Sequence, residues 1–302
     1  MKALTITLNP SLDKTYRLDS ALLMRGATNF ITEITSVAGG SGVNVSNALV
    51  SLGVDTDTFV VTGGVAGENY KAYMHPSLKP IYYDIEGMTR TNHKIKAGET
   101  TTDLLEPSPY LEFAEIAEVF DAIAGIIGKY DIVAFSGTMP NGVDALIVKN
   151  IVKLCPEKFY LDLNGEFLKA GLECKPFFIK PSQSEVIQLG FGNAEETLVN
   201  LSESGGVTRV TATLGNQGAM YVRRGEIYKA FYQGDPLKIE STAGCGDSFV
   251  AACIYNHSLR DMHEIVSYAV ACATANAVIG RNGRLDLKTV EDILPKITVK
   301  KA

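Results

Sequence analysis

The chain is short of positive charge. Its 302 residues carry 28 Lys and Arg against 34 Asp and Glu, a net charge of −6, and the isoelectric point is near 5.4. A nucleic-acid binder usually presents a basic stripe or patch. No Lys/Arg cluster interleaved with aromatics is present, so nucleic acid is set aside as a partner. There is no CxxC pair. The five cysteines, at 155, 174, 245, 253 and 272, are odd in number and widely spaced, and read as free thiols in a reducing compartment. No apolar run of membrane-spanning length is apparent. The opening Met1–Leu8 stretch is too short for a signal core before Asn9-Pro10 breaks it. The expectation is a cytoplasmic protein with no membrane partner. A Walker GxxxxGK[ST] is missing, and no GxGxxG follows a strand. Repeats, low-complexity tracts and linkers are missing too, which points to a single domain over 1–302.

What is present is an alternation. Short apolar runs at Ala3–Leu8, Thr58–Thr62, Asp131–Ser136, Lys158–Leu163, Phe177–Ile179 and Thr208–Leu214 read as strands buried on both faces. Periodic stretches at Gly42–Leu52, Leu111–Gly128, Val143–Leu154, Ser184–Leu189 and Glu195–Ser204 read as helices. Three more follow at Ser248–His257, His263–Ile279 and Leu287–Leu294. This β-α alternation predicts an α/β fold with a mostly parallel sheet between helical layers. Tyr221–Phe231 breaks the pattern and reads as a hairpin around Arg223-Arg224-Gly225-Glu226. Residues 13–37 and 81–105 are rich in Thr, Tyr and Ile with polar residues between. They read as half-exposed antiparallel strands, meeting in space as a discontinuous β-lid.

One stretch carries the chemistry: Thr242-Ala243-Gly244-Cys245-Gly246-Asp247-Ser248, running into an apolar helix. Two glycines let the backbone approach a ligand closely. A helix starting near Asp247 offers unpaired N–H groups and the positive end of its dipole to an anion. Phosphoryl transfer asks for positioning, charge neutralisation and a proton acceptor, and Asp247 stands where that acceptor belongs. Asp247 is also readable as a plain helix N-cap. A second glycine cluster, Gly39-Gly40-Ser41-Gly42-Val43-Asn44, also leads into a helix. It is either a sugar-binding backbone with Asn44 bonding a hydroxyl, or a tight turn.

The ordered set is more specific than its parts. Thr7-Leu8-Asn9-Pro10-Ser11-Leu12-Asp13, Gly39-Gly40-x-Gly42-x-Asn44, Thr89-Arg90-Thr91-Asn92, Ser136-Gly137-Thr138-Met139-Pro140, Lys180-Pro181-x-x-x-Glu185, Thr213-Leu214-Gly215-x-x-Gly218-Ala219 and Ala243-Gly244-x-Gly246-Asp247-Ser248 follow one another. In that order the chain resembles the PfkB-type sugar kinases of the ribokinase superfamily. Within them it is similar to the sugar-phosphate branch, the 1-phosphofructokinases and tagatose-6-phosphate kinases. The resemblance implies a Rossmann-like αβα core with a small β-lid that often forms a homodimer interface. It implies Asp247 as catalytic base and the backbone of Ala243, Gly244, Cys245 and Gly246 as the anion hole. Asp13, Gly39, Gly40 and Asn44 would bind sugar hydroxyls. Arg90 and Thr138 would hold the phosphate that the acceptor already carries, an arginine fork being suited to it. Lys180 would lie near the nucleotide phosphates. Thr213, Gly215, Gly218 and Asn276 would line the ATP site, and Glu185 would orient Mg²⁺ through water, a hard cation that prefers carboxylate oxygen.

Some positions depart from that family pattern. Ser41 stands where the sugar-phosphate branch often has Lys, Ser182 replaces the Asn of Lys-Pro-Asn, and Asn164 replaces a Ser. Cys245 replaces a small residue in the anion hole. Met74–Pro80 reads as a loop, with His75 at its surface; His93 sits beside the lid, and His257 and His263 flank a helix–helix turn. The activity expected is ATP-dependent phosphorylation of a ketohexose phosphate, first fructose 1-phosphate and next tagatose 6-phosphate. A kinase for an unphosphorylated sugar or nucleoside is the alternative enzyme. A sugar-phosphate-binding protein without turnover is the alternative of another class.

Overall fold

The computed structural model describes residues 1–190 and 192–302. The chain opens with β1 (Lys2–Thr7), β2 (Ser11–Leu18), β3 (Ile31–Gly39) and α1 (Ser41–Ser51). Next come β4 (Asp55–Gly63), α2 (Gly64–Ala72), β5 (Lys79–Ile85), β6 (Arg90–Ala97), β7 (Thr100–Leu105) and α3 (Phe113–Ile127). The middle runs through β8 (Ile132–Ser136), α4 (Ala145–Lys153), β9 (Phe159–Asp162), α5 (Gly165–Leu172), β10 (Phe178–Ile179), α6 (Gln183–Leu189), α7 (Ala194–Glu203) and β11 (Arg209–Thr213). A hairpin of β12 (Ala219–Arg223) and β13 (Glu226–Tyr232) precedes α8 (Cys245–Tyr255), α9 (Met262–Ile279), α10 (Leu287–Ile293) and β14 (Ile297–Lys301).

Among the described residues, ten strands form one sheet in the order β14-β13-β12-β11-β10-β9-β8-β1-β4-β5. It is parallel from β11 to β5 and antiparallel at the β12–β14 end. Side chains alternate between the two faces of each strand. Leu4, Ile6, Val133, Phe135, Phe159 and Leu161 pack into one core with α3 to α7. Ala3, Ile132, Ala134 and Tyr160 pack into the other with α1, α8, α9 and α10. This is the expected αβα sandwich. From β1 the chain runs outward to β4 and β5, then returns to build β8 to β11 on the other side. That reversal leaves a crevice at the carboxyl ends of β1 and β8, where open α/β sheets bind ligands.

A second sheet has the order β3-β2-β6-β7. It is built from the segments read as a lid, but its second half begins at Arg90 and not at residue 81. Lys79–Ile85 pairs in parallel with β4 at the edge of the main sheet. An edge strand is half-exposed wherever it lies, so its Tyr-rich pattern did not separate lid from sheet. The segment after Gly63 also differs: Gly64–Ala72 is α2, of which only Gly67 and Tyr70 are buried, too little for a periodic signal. Helix α5 and strand β14 were not anticipated either. Helix α9 is long and apolar enough by composition to cross a membrane, contrary to the sequence expectation, but most of it is buried in the second core.

Candidate active site

The anion loop forms as a turn entering α8. Gly244 caps the helix at φ +83, a left-handed conformation that suits glycine. A Cβ there would lie 2.7 Å from the Gly283 nitrogen. Helix α8 starts at Cys245, ahead of the Asp247 to Ser248 start expected. Asp247 therefore sits in its first turn and is not its cap. The amides of the loop are not all free. Ala243 N–H donates to Ser241 Oγ at 3.2 Å and Cys245 N–H to the Thr242 carbonyl at 3.3 Å. The Gly244, Gly246 and Asp247 N–H groups have no protein acceptor among the described residues. They are the open donors at this helix N-terminus.

Asp247 is buried, and Asn44 Nδ2 donates to its Oδ2 at 2.8 Å. Burial, and then the negative charge of Asp162, push its carboxyl up to about 7; Asn44, Lys180 and Ser41 oppose that rise. A carboxylate poised near neutrality is suited to general-base work. Asn44 was expected to meet a sugar hydroxyl. Its amide nitrogen is instead committed to Asp247, and its Oδ1 is left without a protein partner. Lys180 Nζ pairs with Asp162 Oδ1 at 2.9 Å, and both are shielded from solvent. Burial works against the Lys180 charge, but Asp162, and further off Asp247 and Glu185, hold it protonated. Lys180 lies directly beneath Gly246.

Beside this centre is a cavity of about 300 Å³ at the ends of β1, β8 and β9, lined in part by Asn9, Gly40, Asn44, Arg90, Thr138 and Glu185. Arg90 and Thr138 do meet there, joined through Asn9. Arg90 donates to the Asn9 carbonyl at 3.2 Å, and Asn9 Nδ2 donates to Thr138 Oγ1 at 2.8 Å. Asp13 faces a neighbouring cavity of about 450 Å³ between the lid and the core. Its Oδ1 accepts from Ser11 Oγ at 2.7 Å and Asn92 Nδ2 at 3.0 Å. Burial raises its pKa despite both bonds. Gly39 backs onto it, where a Cβ would lie 2.2 Å from Asp13 Oδ2.

On the other side of the anion loop is a cavity of about 670 Å³, mostly apolar. Thr213, Gly215 and Gly218, the residues that the resemblance assigns to nucleotide, line it together with Leu237, Phe249 and Val270. Asn276 does not. It is fully buried and braces the loop, donating to the Ala243 carbonyl at 2.7 Å and accepting from Gly283 N–H at 2.7 Å. Glu185 closes a capping box on α6, accepting from Ser182 N–H at 2.6 Å. The other half of the box, Glu185 N–H donating to Ser182 Oγ at 3.4 Å, explains Ser182, since serine is a strong N-cap. Glu185 also lines the first cavity. Among the described residues no group of three or more His, Cys, Asp or Glu is placed to hold a metal. A magnesium ion brought in on phosphates needs only one or two carboxylates and water, which Glu185 at the cavity wall satisfies. Asn9, Ser11 and Asp162 line the first cavity and Asn92 the lid-side one; none of them received a role from the sequence, although Asn9, Ser11 and Asn92 fall within its motifs. In the sequence Asp162 falls inside the Lys158–Leu163 run, and its pairing with Lys180 is a tertiary contact.

Residues 7–283 match the family model described as "pfkB family carbohydrate kinase". The chain belongs to the pfkB family. It is therefore a phosphotransferase with a sugar hydroxyl as acceptor. Solved pfkB-type structures share its fold. Phosphofructokinase-2 from Escherichia coli, in complex with substrates and products, is 23% identical, with a TM-score of 0.87 over 98% of this chain and 99% of that one. The tetrameric inhibited form of that enzyme is 22% identical, with a TM-score of 0.85 over 97% and 98%. A protein from Thermotoga maritima described as a possible 1-phosphofructokinase is 22% identical, with a TM-score of 0.84 over the full length of both chains.

Proposed function

We propose that this chain transfers the γ-phosphoryl group of ATP to a hydroxyl of a ketohexose phosphate. Fructose 1-phosphate, giving the 1,6-bisphosphate, is the first acceptor to test, and tagatose 6-phosphate the second. One observation carries the reading. The anion loop is the shared wall between two cavities, with Thr242, Cys245 and Gly246 facing the apolar one and Ser241 and Ala243 facing the lid-side one. A buried carboxylate stands in the first turn behind it. A flat base fits the apolar cavity and a hydroxylated acceptor fits the polar ones.

In the transfer, Asp247 takes the proton of the acceptor hydroxyl as the new O–P bond forms and the bond to the β-phosphate oxygen breaks, releasing ADP. The Gly244, Gly246 and Asp247 amides face the charge on the migrating group, and Lys180 adds a buried cation beneath them. Asn44 keeps Asp247 oriented. Mg²⁺, held through water by Glu185, would offset phosphate charge. Asp13 and Asn92 offer hydrogen bonds to sugar hydroxyls. Arg90 and Thr138, which the resemblance offers for the acceptor's phosphate, stand on the Asn9 side. The lid is inferred to pair two chains into a homodimer.

The test is ATP consumption with a panel of sugars and sugar phosphates, for the wild type and Asp247→Asn. The reading expects turnover with a ketohexose phosphate and its loss in the variant. Turnover only with unphosphorylated sugars or nucleosides selects the other kinase. No turnover with any acceptor, alongside tight sugar-phosphate binding, selects a binding protein.

A further inference from the structure

The hairpin turn Arg223-Arg224-Gly225-Glu226 takes no part in the active site. It forms one wall of a separate cavity of about 460 Å³, lined by Arg223, Arg224, Glu226, Arg260 and Met262. Antiparallel register pairs Val210 of β11 with Val222 of β12, so the next rung sets Arg209 opposite Arg223. Thr213, at the other end of β11, lines the apolar cavity. Four residue steps of a strand span about 13 Å, so the arginine cavity and the catalytic crevice lie at opposite ends of the sheet.

Three arginines line this cavity in a chain whose net charge is −6. None of them is in an ion pair among the described residues. The carboxylate on the same wall, Glu226, is committed to Lys301 Nζ at 2.6 Å. Asp261, next to Arg260 in the chain, caps α9 and accepts from His263 N–H at 2.8 Å. Arg223 donates to the Arg260 carbonyl at 3.4 Å. Beside Arg223, Arg209 is only 4% exposed. It donates to the His257 and Leu259 carbonyls at 2.8 and 2.7 Å, and its Nε and Nη1 have no partner among the described residues. Like charges opposed across a ladder are unfavourable, and a buried charge is ordinarily paired. Four arginines without a carboxylate of their own make a positive field that draws an anion.

Arg224 is also unusual for its place. It takes φ +52, followed by Gly225 at φ +77, in a tight turn whose first position favours Asn, Asp or Gly. Its backbone N–H donates to Ser202 Oγ at 2.8 Å, which any residue but proline would do equally.

We propose that Arg223, Arg224 and Arg260 bind a small anion carrying two or more phosphoryl groups, at a site separate from the catalytic one. Arginine forks grip phosphoryl oxygens bidentately. No aromatic side chain lines the cavity among the described residues, so the phosphoryl groups are the recognised part. The volume admits a diphosphate or a sugar bisphosphate. Bound there, the anion ties the β12–β13 turn to the α8–α9 turn that carries Arg260.

Methyl-labelled methionine reads this site directly, because Met262 lines it and Met262→Leu assigns its signal. Inorganic pyrophosphate, titrated without Mg²⁺, is expected to move the Met262 methyl resonance to saturation in the wild type. Arg224→Glu/Arg260→Glu should weaken that binding about tenfold to a hundredfold, the size of one or two charge-assisted contacts. Arg224→Lys/Arg260→Lys, which keeps the charge and loses the fork, should bind between the two, and it keeps the test readable should the glutamate variant fail to fold. Fructose 1,6-bisphosphate is titrated alongside. Tighter binding than pyrophosphate assigns the site to separated phosphoryl groups, and the reverse assigns it to a polyphosphate chain. The inference falls if both anions leave Met262 unmoved, or if the glutamate and lysine variants bind as the wild type does. It falls equally if sulfate at matched ionic strength, or only an acidic peptide, moves the resonance as pyrophosphate was expected to.

Discussion

At the scale of single residues the site turns on Asp247. Its carboxyl is held near neutrality mainly by burial and by Asp162, and Asn44 pulls the other way. The base must be unprotonated to work, so kcat/KM is expected to rise as pH passes about 7. Asn44→Ala removes a hydrogen bond to the charged form, so the rising limb should move to higher pH; a limb left in place in the pH–rate profile would refute the role given to Asn44. Stability carries a second signature. The Asp247 carboxyl rises in the fold from an ordinary 3.8 to about 7, so the native state binds more protons than the unfolded chain between those values. The group's contribution to stability is present below pH 3.8 and is lost as pH rises through 7. Asp247→Asn can still accept from Asn44 and carries no charge to bury. It should melt higher than the wild type at pH 8, by on the order of 1–3 kcal/mol, with the gap closing towards pH 4, while losing about 10²–10⁴-fold in turnover. Thermal melts across that range check it, and an equal gap at both ends would deny the linkage. Asp247 was legible because its glycines and helix are its sequence neighbours. Asn276 was legible only as a site residue and was misplaced, since its bonds to Ala243 and Gly283 arise from folding alone.

At the scale of elements, α6 tests whether one carboxylate can hold two offices. Ser182 and Glu185 cap the helix reciprocally, and Glu185 also faces the cavity. Ser182→Ala should cost about 0.5–2 kcal/mol of stability and leave the Mg²⁺ requirement of turnover where it is. Glu185→Gln can still close the capping box but loses the charge. It should keep the melting temperature and need several-fold more Mg²⁺ for half-maximal rate. Should the two variants behave alike in a Mg²⁺ titration, Glu185 is a cap and nothing more. The same contrast explains what the sequence showed of the fold. Strands such as β8 and β9, buried on both faces, announce themselves as unbroken apolar runs. Edge strands do not. Ile81-Tyr82-Tyr83-Asp84-Ile85 alternates as a lid strand would, and β14 is a short Ile-Thr-Val-Lys-Lys run at the sheet's other edge. Local pattern reports how buried a strand is, not which sheet it joins.

At the scale of the whole molecule, the lid has a face that the chain does not cover. Register places Asp13, Asn92 and Lys94 on one side of the lid sheet, toward the cleft, and Tyr16, Ile34, Ile95 and Leu104 on the other. Ile34 is 59% exposed and Leu104 is 54% exposed. Phe30 and Ile31 at the start of β3 are exposed as well. Isolated exposed apolar residues are ordinary, but a contiguous apolar sheet face marks an interaction surface. A second copy meeting this face would bury it on both chains by a twofold axis. It would also stiffen the strands that carry Asp13, Asn92, Lys94 and Lys96 over the acceptor. The wild type is therefore expected to run as a dimer by light scattering. Ile34→Asp with Leu104→Asp, which places four carboxylates across the axis, should give the monomer mass. If a partner holds the lid, the monomer should bind the acceptor more weakly, while its affinity for ATP, proposed for the far side of the anion loop, should change far less. A wild type of monomer mass, or a variant that keeps the dimer mass, would place the contact elsewhere. A monomer with unchanged acceptor KM would separate assembly from the site.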